Sequence, residues 1–173
     1  MINHQITSPN KWYVVYTYPQ LEKNIERALS RANITCFLPV QKVTKQWSDR
    51  KKTVEVALFP NYIFVKTTPQ ERFDILNFYG VSHYVCCSKQ PVVVSDSDID
   101  IIRKLNVEPD LTVERSIQMG ETVDIIDGPF EGFKGVVFER KGRKRFGIKI
   151  DTLNQFVSFE VDQSSIRPVE LVN

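Results

Sequence analysis

The sequence is poor in the residues that build metal sites and disulfide frameworks. Its histidines are His4 and His83, and its cysteines are Cys36, Cys86 and Cys87, two of them adjacent. Zinc asks for four ligands in paired short spacings, so no metal site is expected. Adjacent cysteines do not readily bridge each other and the third leaves the count odd, so all three thiols are expected to be reduced and structural. Long hydrophobic runs are also missing. The runs present, among them 12–16, 57–60 and 62–65, are far shorter than the ~20 residues that span a bilayer, and no charged-then-apolar leader precedes Trp12. A cytoplasmic protein without a membrane partner is expected. Catalytic motifs are wanting as well: neither histidine has a nucleophile or carboxylate partner in a recognisable pattern, and there is no phosphate loop. Asp96, Asp98 and Asp100 read as helix-start acids, so neither enzymatic activity nor a cofactor is expected.

Glycine is scarce in the first two thirds of the chain, where Gly80 stands alone; the other six follow Met119. Tight turns therefore concentrate at the C-terminal end. Between the two regimes, residues 107–116 lack sustained periodicity and hold a proline and several charges, which reads as a linker. The resulting organisation is a domain at 1–106, a linker at 107–116 and a small domain at 117–173. Hydrophobic residues make up 42% and charged residues 25% of the chain, values of a folded globular protein. Net charge is +5 over 1–106 and −1 over 117–173, so any polyanion contact is expected in the N-terminal part.

In that part, the β-branched and aromatic run 12–16 predicts a strand. Leu21, Ile25, Ala28, Leu29 and Ala32 recur at helical spacing and predict a helix over 19–32 with Pro19 in its first turn. Two strands, 40–46 and 53–58, read as a hairpin with a polar, basic tip at 47–52, and 62–66 reads as a further strand. Thr68-Pro-Gln-Glu71 has the pattern of a capping box and predicts a helix reaching Tyr79. Strands at 83–86 and 91–94 and a short helix capped by Ser95 complete an α+β sandwich.

After the linker, strands are predicted at 122–126, 134–139, 145–150 and 156–160. Short strands this regularly spaced in so few residues imply a closed or nearly closed barrel, because an open sheet of that size exposes too much edge. Gly120-Glu-Thr-Val-Asp-Ile-Ile-Asp-Gly-Pro-Phe-Glu-Gly-Phe-Lys-Gly-Val-Val137 resembles a KOW motif, the hairpin that opens SH3-like barrels. Its turn comprises Gly128, Pro129, Phe130, Gly132 and Gly135.

Ahead of it, Trp12-Tyr-Val-Val-Tyr16, Phe37-Leu-Pro39, Leu58-Phe-Pro-Asn-Tyr-Ile-Phe-Val65 and Gly80-Val-Ser-His-Tyr-Val85 occur in an order that resembles the NusG family of transcription elongation factors. Within the family, Phe-Pro-Asn-Tyr and Gly-Val-Ser-His-Tyr are similar to the specialised RfaH-like branch, and the 46–52 hairpin and the 145–151 strand to UpxY-type antiterminators. The resemblance implies an NGN-type α/β sandwich followed by a KOW barrel. It also implies that the sandwich seats an aromatic cavity on the β′ clamp helices of bacterial RNA polymerase, suppressing pausing on long operons such as capsule or exopolysaccharide clusters. The matching positions are Tyr16, Phe59, Tyr62, Phe64 and Tyr84; each also suits an ordinary core position. Strand alternation puts Tyr62 and Phe64 on one face.

For nucleic acid, non-template DNA or nascent RNA, the candidates are Arg50, Lys51 and Lys52 with Trp47 beside them, and the helical stripe Lys23, Arg27 and Arg31. Both sets suit plain solvated surface as well. Where the specialised branch reads DNA with polar side chains this chain has Tyr18, Ala28 and Tyr79, so the same DNA signal is not expected. Two other readings stand beside this one. A housekeeping member of the family would recruit Rho or a small-subunit ribosomal protein through its barrel, and a ribosome-associated RNA-binding protein would use a KOW barrel alone.

Overall fold

The computed structural model describes residues 9–47, 50–106, 111–114, 120–127 and 130–169. Packing divides the chain into two compact units, Met1–Ile99 and Asp100–Asn173.

The first unit is built on an antiparallel sheet. Strand β1 (Lys11–Thr17) lies at its centre, with β2 (Thr35–Phe37) and β5 (Tyr62–Thr67) on one side, in the order β2-β5-β1-β6, and β6 (Val81–Tyr84) on the other. The short β9 (Val93–Val94) also pairs with β1, at Trp12 and Tyr13. Beside this sheet, β3 (Val40–Gln46) and β4 (Lys51–Ala57) form a separate two-stranded ribbon, and β7 (Cys86–Cys87) and β8 (Gln90–Pro91) a small hairpin. Alternation along β1 and β5 sends Tyr13, Val15, Ile63 and Val65 to one face. There they form a buried core with Ile25, Leu29, Ile75, Val81 and Tyr84.

Helix α1 spans Glu22–Arg31 and buries Ile25 and Leu29, the periodic positions expected from the sequence. It starts three residues later than its pattern suggests, because Gln20 takes a left-handed φ of 66° that no helix continues. The capping residues of α2 behave as read: Thr68 Oγ1 donates to the Glu71 carboxylate at 2.8 Å and accepts the Glu71 N–H at 3.1 Å. The helix itself covers only Arg72–Ile75. Beyond it the N–H groups of Leu76, Asn77 and Phe78 reach carbonyls three residues back, a tighter winding suited to short pieces. Phe73, Leu76 and Tyr79 all stay exposed, and only Ile75 and Phe78 of this segment pack against the core, too narrow an apolar stripe to hold a longer helix against the sheet.

Helix α3 (Asp96–Leu105) is capped by Ser95, whose hydroxyl accepts the Asp98 N–H at 3.0 Å. Its first residue also fastens it to the sheet. One oxygen of Asp96 accepts the Trp12 indole N–H at 2.9 Å and the Lys66 ammonium at 3.0 Å. The boundary between units falls inside α3, rather than after Asn106. From Asp100 onward the helix belongs to the second unit, where Ile102 and Leu105 are buried and the Lys104 ammonium lies 5.3 Å from the Phe133 ring.

The second unit is an all-antiparallel six-stranded sheet in the order β10-β14-β13-β12-β11-β15. The four expected strands appear as β11 (Glu121–Ile125), β12 (Lys134–Arg140), β13 (Arg143–Ile150) and β14 (Gln155–Glu160). Their inward positions Val123, Ile125, Phe138, Phe146, Ile148, Ile150, Val157 and Phe159 are buried. Two strands were not legible in the sequence. β15 (Ile166–Pro168) pairs with β11, and β10 (Thr112–Glu114) pairs with β14. The latter corrects the expectation of a linker throughout 107–116. Leu111 is buried, and Thr112 meets the Arg145 guanidinium at 3.2 Å, so three residues without any periodicity are recruited by long-range partners.

Candidate functional site

The second face of the N-terminal sheet is aromatic, and register explains why. Val14 pairs with Phe64 and Tyr16 with Tyr62 across β1 and β5; on the flanks Phe37 pairs with Phe64, and His83 with Tyr16. Directly paired residues share a face, so His83, Tyr16 and Tyr62 form one row, and Val14, Phe64 and Phe37 the next. In the outer row Tyr16 stacks on His83, with centroids 5.1 Å apart, and meets Tyr62 edge to face at 5.5 Å. Phe64 stacks on Phe37 at 6.0 Å and meets Phe59 edge-on at 6.2 Å.

The two rows differ in access. Phe59 and Phe64 are fully buried, whereas Tyr16 and Tyr62 are half-buried and His83 is exposed. Phe59 and Phe64 therefore form a floor rather than a contact surface, and the reachable rings are those of the outer row. Asn61 braces that row: its side-chain amide donates to the Tyr16 hydroxyl at 3.0 Å, and its backbone N–H donates to the buried Glu22 carboxylate at 2.9 Å. Asn61 holds a φ of 70°, left-handed backbone that asparagine tolerates better than most residues.

Tyr84 does not join this surface. It pairs with Val15 and lies in the helix-side core, its hydroxyl donating to the Arg72 carbonyl at 2.7 Å and its ring edge-on to Tyr13 at 5.7 Å. Burial pushes its phenol pKa well up. The residue on the aromatic face is its neighbour His83. Sequence reading missed it because the face of a β6 residue is set by its pairing with β1, where Tyr16 meets His83 and Val15 meets Tyr84, and nothing local to β6 reports that register.

The basic candidates separate in the same way. Lys51 and Lys52 lie within β4, paired with Gln46 and Lys45, so the tip is shorter than expected and successive lysines point to opposite faces of the ribbon. Arg50, Lys51, Lys52 and Trp47 are all exposed, Trp47 at 55%, and the Trp47 N–H closes the tip by donating to the Arg50 carbonyl at 2.8 Å. On α1, Arg27 and Arg31 are exposed, but Lys23 is held by Glu55 of β4 at 3.2 Å. That acid comes from another element, invisible to a search of helical i,i+4 positions. Tyr18 and Tyr79 are exposed.

Cys36 is half-buried against Ser30 and the Glu26 carbonyl, and burial raises its pKa. All three thiols are free, but Cys86 and Cys87 are exposed, so only Cys36 fits a structural role.

In the barrel, Gly128 and Pro129 of the expected turn lie outside the described residues. Phe130 is buried with its ring 4.7 Å from Phe159. Gly132 takes a φ of 84°, and a side-chain carbon on Gly135 would sit 2.5 Å from both the Gly147 carbonyl oxygen and the Phe146 ring. The two glycines therefore serve different needs, a left-handed turn and a close approach of strands.

A family model described as "Transcription termination factor nusG" matches residues 10–103. The chain belongs to the NusG family. Relatives match over both units: the "Transcription termination/antitermination protein NusG" of Rickettsia conorii is 30% identical, covering 81% of each chain. Those of Rickettsia typhi and Pseudomonas aeruginosa are 28% and 26% identical, covering 91% and 92% of this chain and 89% and 98% of theirs. A solved structure described as "Domain interaction in Thermotoga maritima NusG" has a TM-score of 0.59 at 25% identity, covering 93% of this chain and 98% of the other. NusG-family proteins are transcription factors rather than enzymes, and no helix among the described residues is long and apolar enough to cross a membrane. In this NusG-family chain the family motifs bring together Tyr16, Tyr62, Phe59 and Phe64, while Tyr84, from the last of them, faces the opposite side.

Proposed function

We infer that this NusG-family chain is a transcription elongation and antitermination factor that binds bacterial RNA polymerase through the aromatic face, the β′ clamp helices being the partner. One observation carries this reading: a row of reachable rings, Tyr16, Tyr62 and His83, braced by Asn61 and backed by the sealed Phe59 and Phe64. Rigid aromatics half-set into a surface are where interface energy concentrates. The exposed tip of the β3–β4 ribbon, with Trp47, Arg50, Lys51 and Lys52, suits contact with non-template DNA or nascent RNA, pairing point charges with a stackable ring. Its site of action is the cytoplasm. The specialised branch, acting on one or a few long operons, is supported by the Phe59-Pro-Asn-Tyr62 and Gly80-Val-Ser-His-Tyr84 motifs.

A housekeeping role coupling polymerase to Rho or the ribosome is the second reading, favoured by relatives named NusG that match across both units. Single-round transcription with purified polymerase tests the common core of both readings. Added full-length protein should shorten pauses, and Tyr16→Ala with Tyr62→Ala should abolish that effect; unchanged pausing with the wild-type protein overturns it. Transcript profiling in a deletion strain separates the branches: loss of distal genes in a few operons marks the specialised factor, and a genome-wide defect the housekeeping one.

A further inference from the structure

A cavity of about 340 Å³ opens where the start of α1 meets the end of β4 and the turn before β5. Its walls divide by chemistry. Pro19, Val56, Ala57 and Pro60 supply apolar surface, while Glu22 and Glu55 set two carboxylates against the ammonium of Lys23.

The two acids are held differently. Glu55 is exposed and lies 3.2 Å from the Lys23 ammonium, so that pair largely cancels. Glu22 is only 8% exposed, and one of its oxygens accepts the Asn61 N–H at 2.9 Å. Among the described residues no cation pairs with it. A neutral amide orients a carboxylate without neutralising it, and the second oxygen can still accept. Asn61 also ties the cavity to the aromatic row. It lines the cavity, and its side-chain amide donates to the Tyr16 hydroxyl at 3.0 Å. A helix laid on Tyr16 and Tyr62 therefore borders the cavity.

We propose that this cavity receives a basic side chain, arginine or lysine, from the polymerase clamp helices when they seat on the aromatic face, with Glu22 as its acceptor. The inference rests on the polymerase reading and deepens it, adding a determinant of charge to a surface of rings. Arginine and lysine carry long aliphatic stems below the charge, which suit the walls of Pro19, Val56, Ala57 and Pro60. A carboxylate already fixed by one amide is oriented for a charge-assisted hydrogen bond with the other oxygen. A phosphate backbone is the wrong ligand here, because two carboxylates line its approach. An apolar side chain is wrong as well, since it would desolvate Glu22 and leave the charge without a partner.

The test measures binding of the full-length chain to a β′ clamp-helix fragment by calorimetry. Glu22→Gln keeps an oxygen for the Asn61 N–H and removes the charge. Its affinity should fall about tenfold while the melting midpoint stays near native. Glu55→Gln touches no buried group and should cost about threefold, because it leaves Lys23 unmatched at the cavity. Each basic residue of the fragment is then changed to Gln in turn. One of these changes should weaken binding to the wild-type chain about tenfold and be nearly silent against Glu22→Gln, the coupling of a direct pair. The same residue should couple more weakly with Glu55→Gln. If Glu22 merely supported Asn61, its loss would weaken all the fragments alike, so the absence of any coupled basic residue with either variant overturns the proposal. Wild-type affinity in both Glu22→Gln and Glu55→Gln, with Tyr62→Ala binding weakly, overturns it while the polymerase reading stands. Normal binding by Tyr62→Ala removes that reading and the proposal with it.

Discussion

Tyr16 and Tyr62 face each other across β1 and β5 with their rings edge to face, 5.5 Å between centroids. One step along the same face the next ring, Phe64, is fully buried. Substitutions on a single strand face should therefore separate by depth. Phe64→Ala should cost about 3–5 kcal/mol of stability, the range of a buried phenylalanine truncation. Tyr62→Ala should leave the melting midpoint near native and weaken binding to a clamp-helix fragment by about 2 kcal/mol, roughly thirtyfold. Calorimetry on both variants decides: normal binding by Tyr62→Ala places the polymerase contact elsewhere.

The tip of the β3–β4 ribbon should behave as surface. Replacing Arg50, Lys51 and Lys52 with Ala should leave stability within about 0.5 kcal/mol, because exposed charges contribute little to folding. It should reduce recruitment to transcription complexes and flatten its salt dependence. Unaltered recruitment across a salt series would exclude a nucleic-acid role for the tip.

Gly132 and Gly135 should respond unequally to a methyl group. Open space surrounds Gly132, so Gly132→Ala carries only the strain of a left-handed residue, about 1 kcal/mol. Gly135→Ala drives a carbon against the Gly147 carbonyl and the Phe146 ring and should exceed about 2 kcal/mol. Thermal melts that rank the two variants in the opposite order would refute this account of the motif.

Tyr84 should make the fold sensitive to alkali. Its folded pKa is raised by burial, so the unfolded chain ionises first, near pH ~10. The stability it contributes is complete below that pH and is lost as pH rises toward the folded value. Tyr84→Phe should lose about 1 kcal/mol at neutral pH with its hydrogen bond to the Arg72 carbonyl, yet fall less steeply above pH ~10. Urea midpoints measured from pH 8 to 11 check this; parallel curves would show that the phenol is not the group responsible.

Local pattern made much of the architecture legible. The alternating runs of β1, β5 and β11 to β14, the apolar period of α1 and the Thr68 and Ser95 caps are short-range signals, because each records which side of one element meets a core. The same alternation placed Tyr62 and Phe64 together, and the Gly120–Val137 motif marked the barrel.

What the chain could not disclose locally is what arrives from elsewhere. His83 rather than Tyr84 joins the aromatic face because the pairing of β6 with β1 sets His83 opposite Tyr16 and Tyr84 opposite Val15, a register no local pattern in β6 announces. Phe64 is floor and Tyr62 is surface although both are aromatic positions on one strand, since depth is set by what packs above them. Lys23 leaves its basic stripe because Glu55 arrives from the ribbon, and Thr112–Glu114 becomes a strand because Ser158 and Arg145 receive it. The charge of 117–173 is a sum in which five cations at one turn are cancelled by acids spread along the segment. The sequence determined that sum, and the hairpin decided where the charge stands, because pairing Arg140 with Arg143 holds those cations at one end of the central strands β12 and β13.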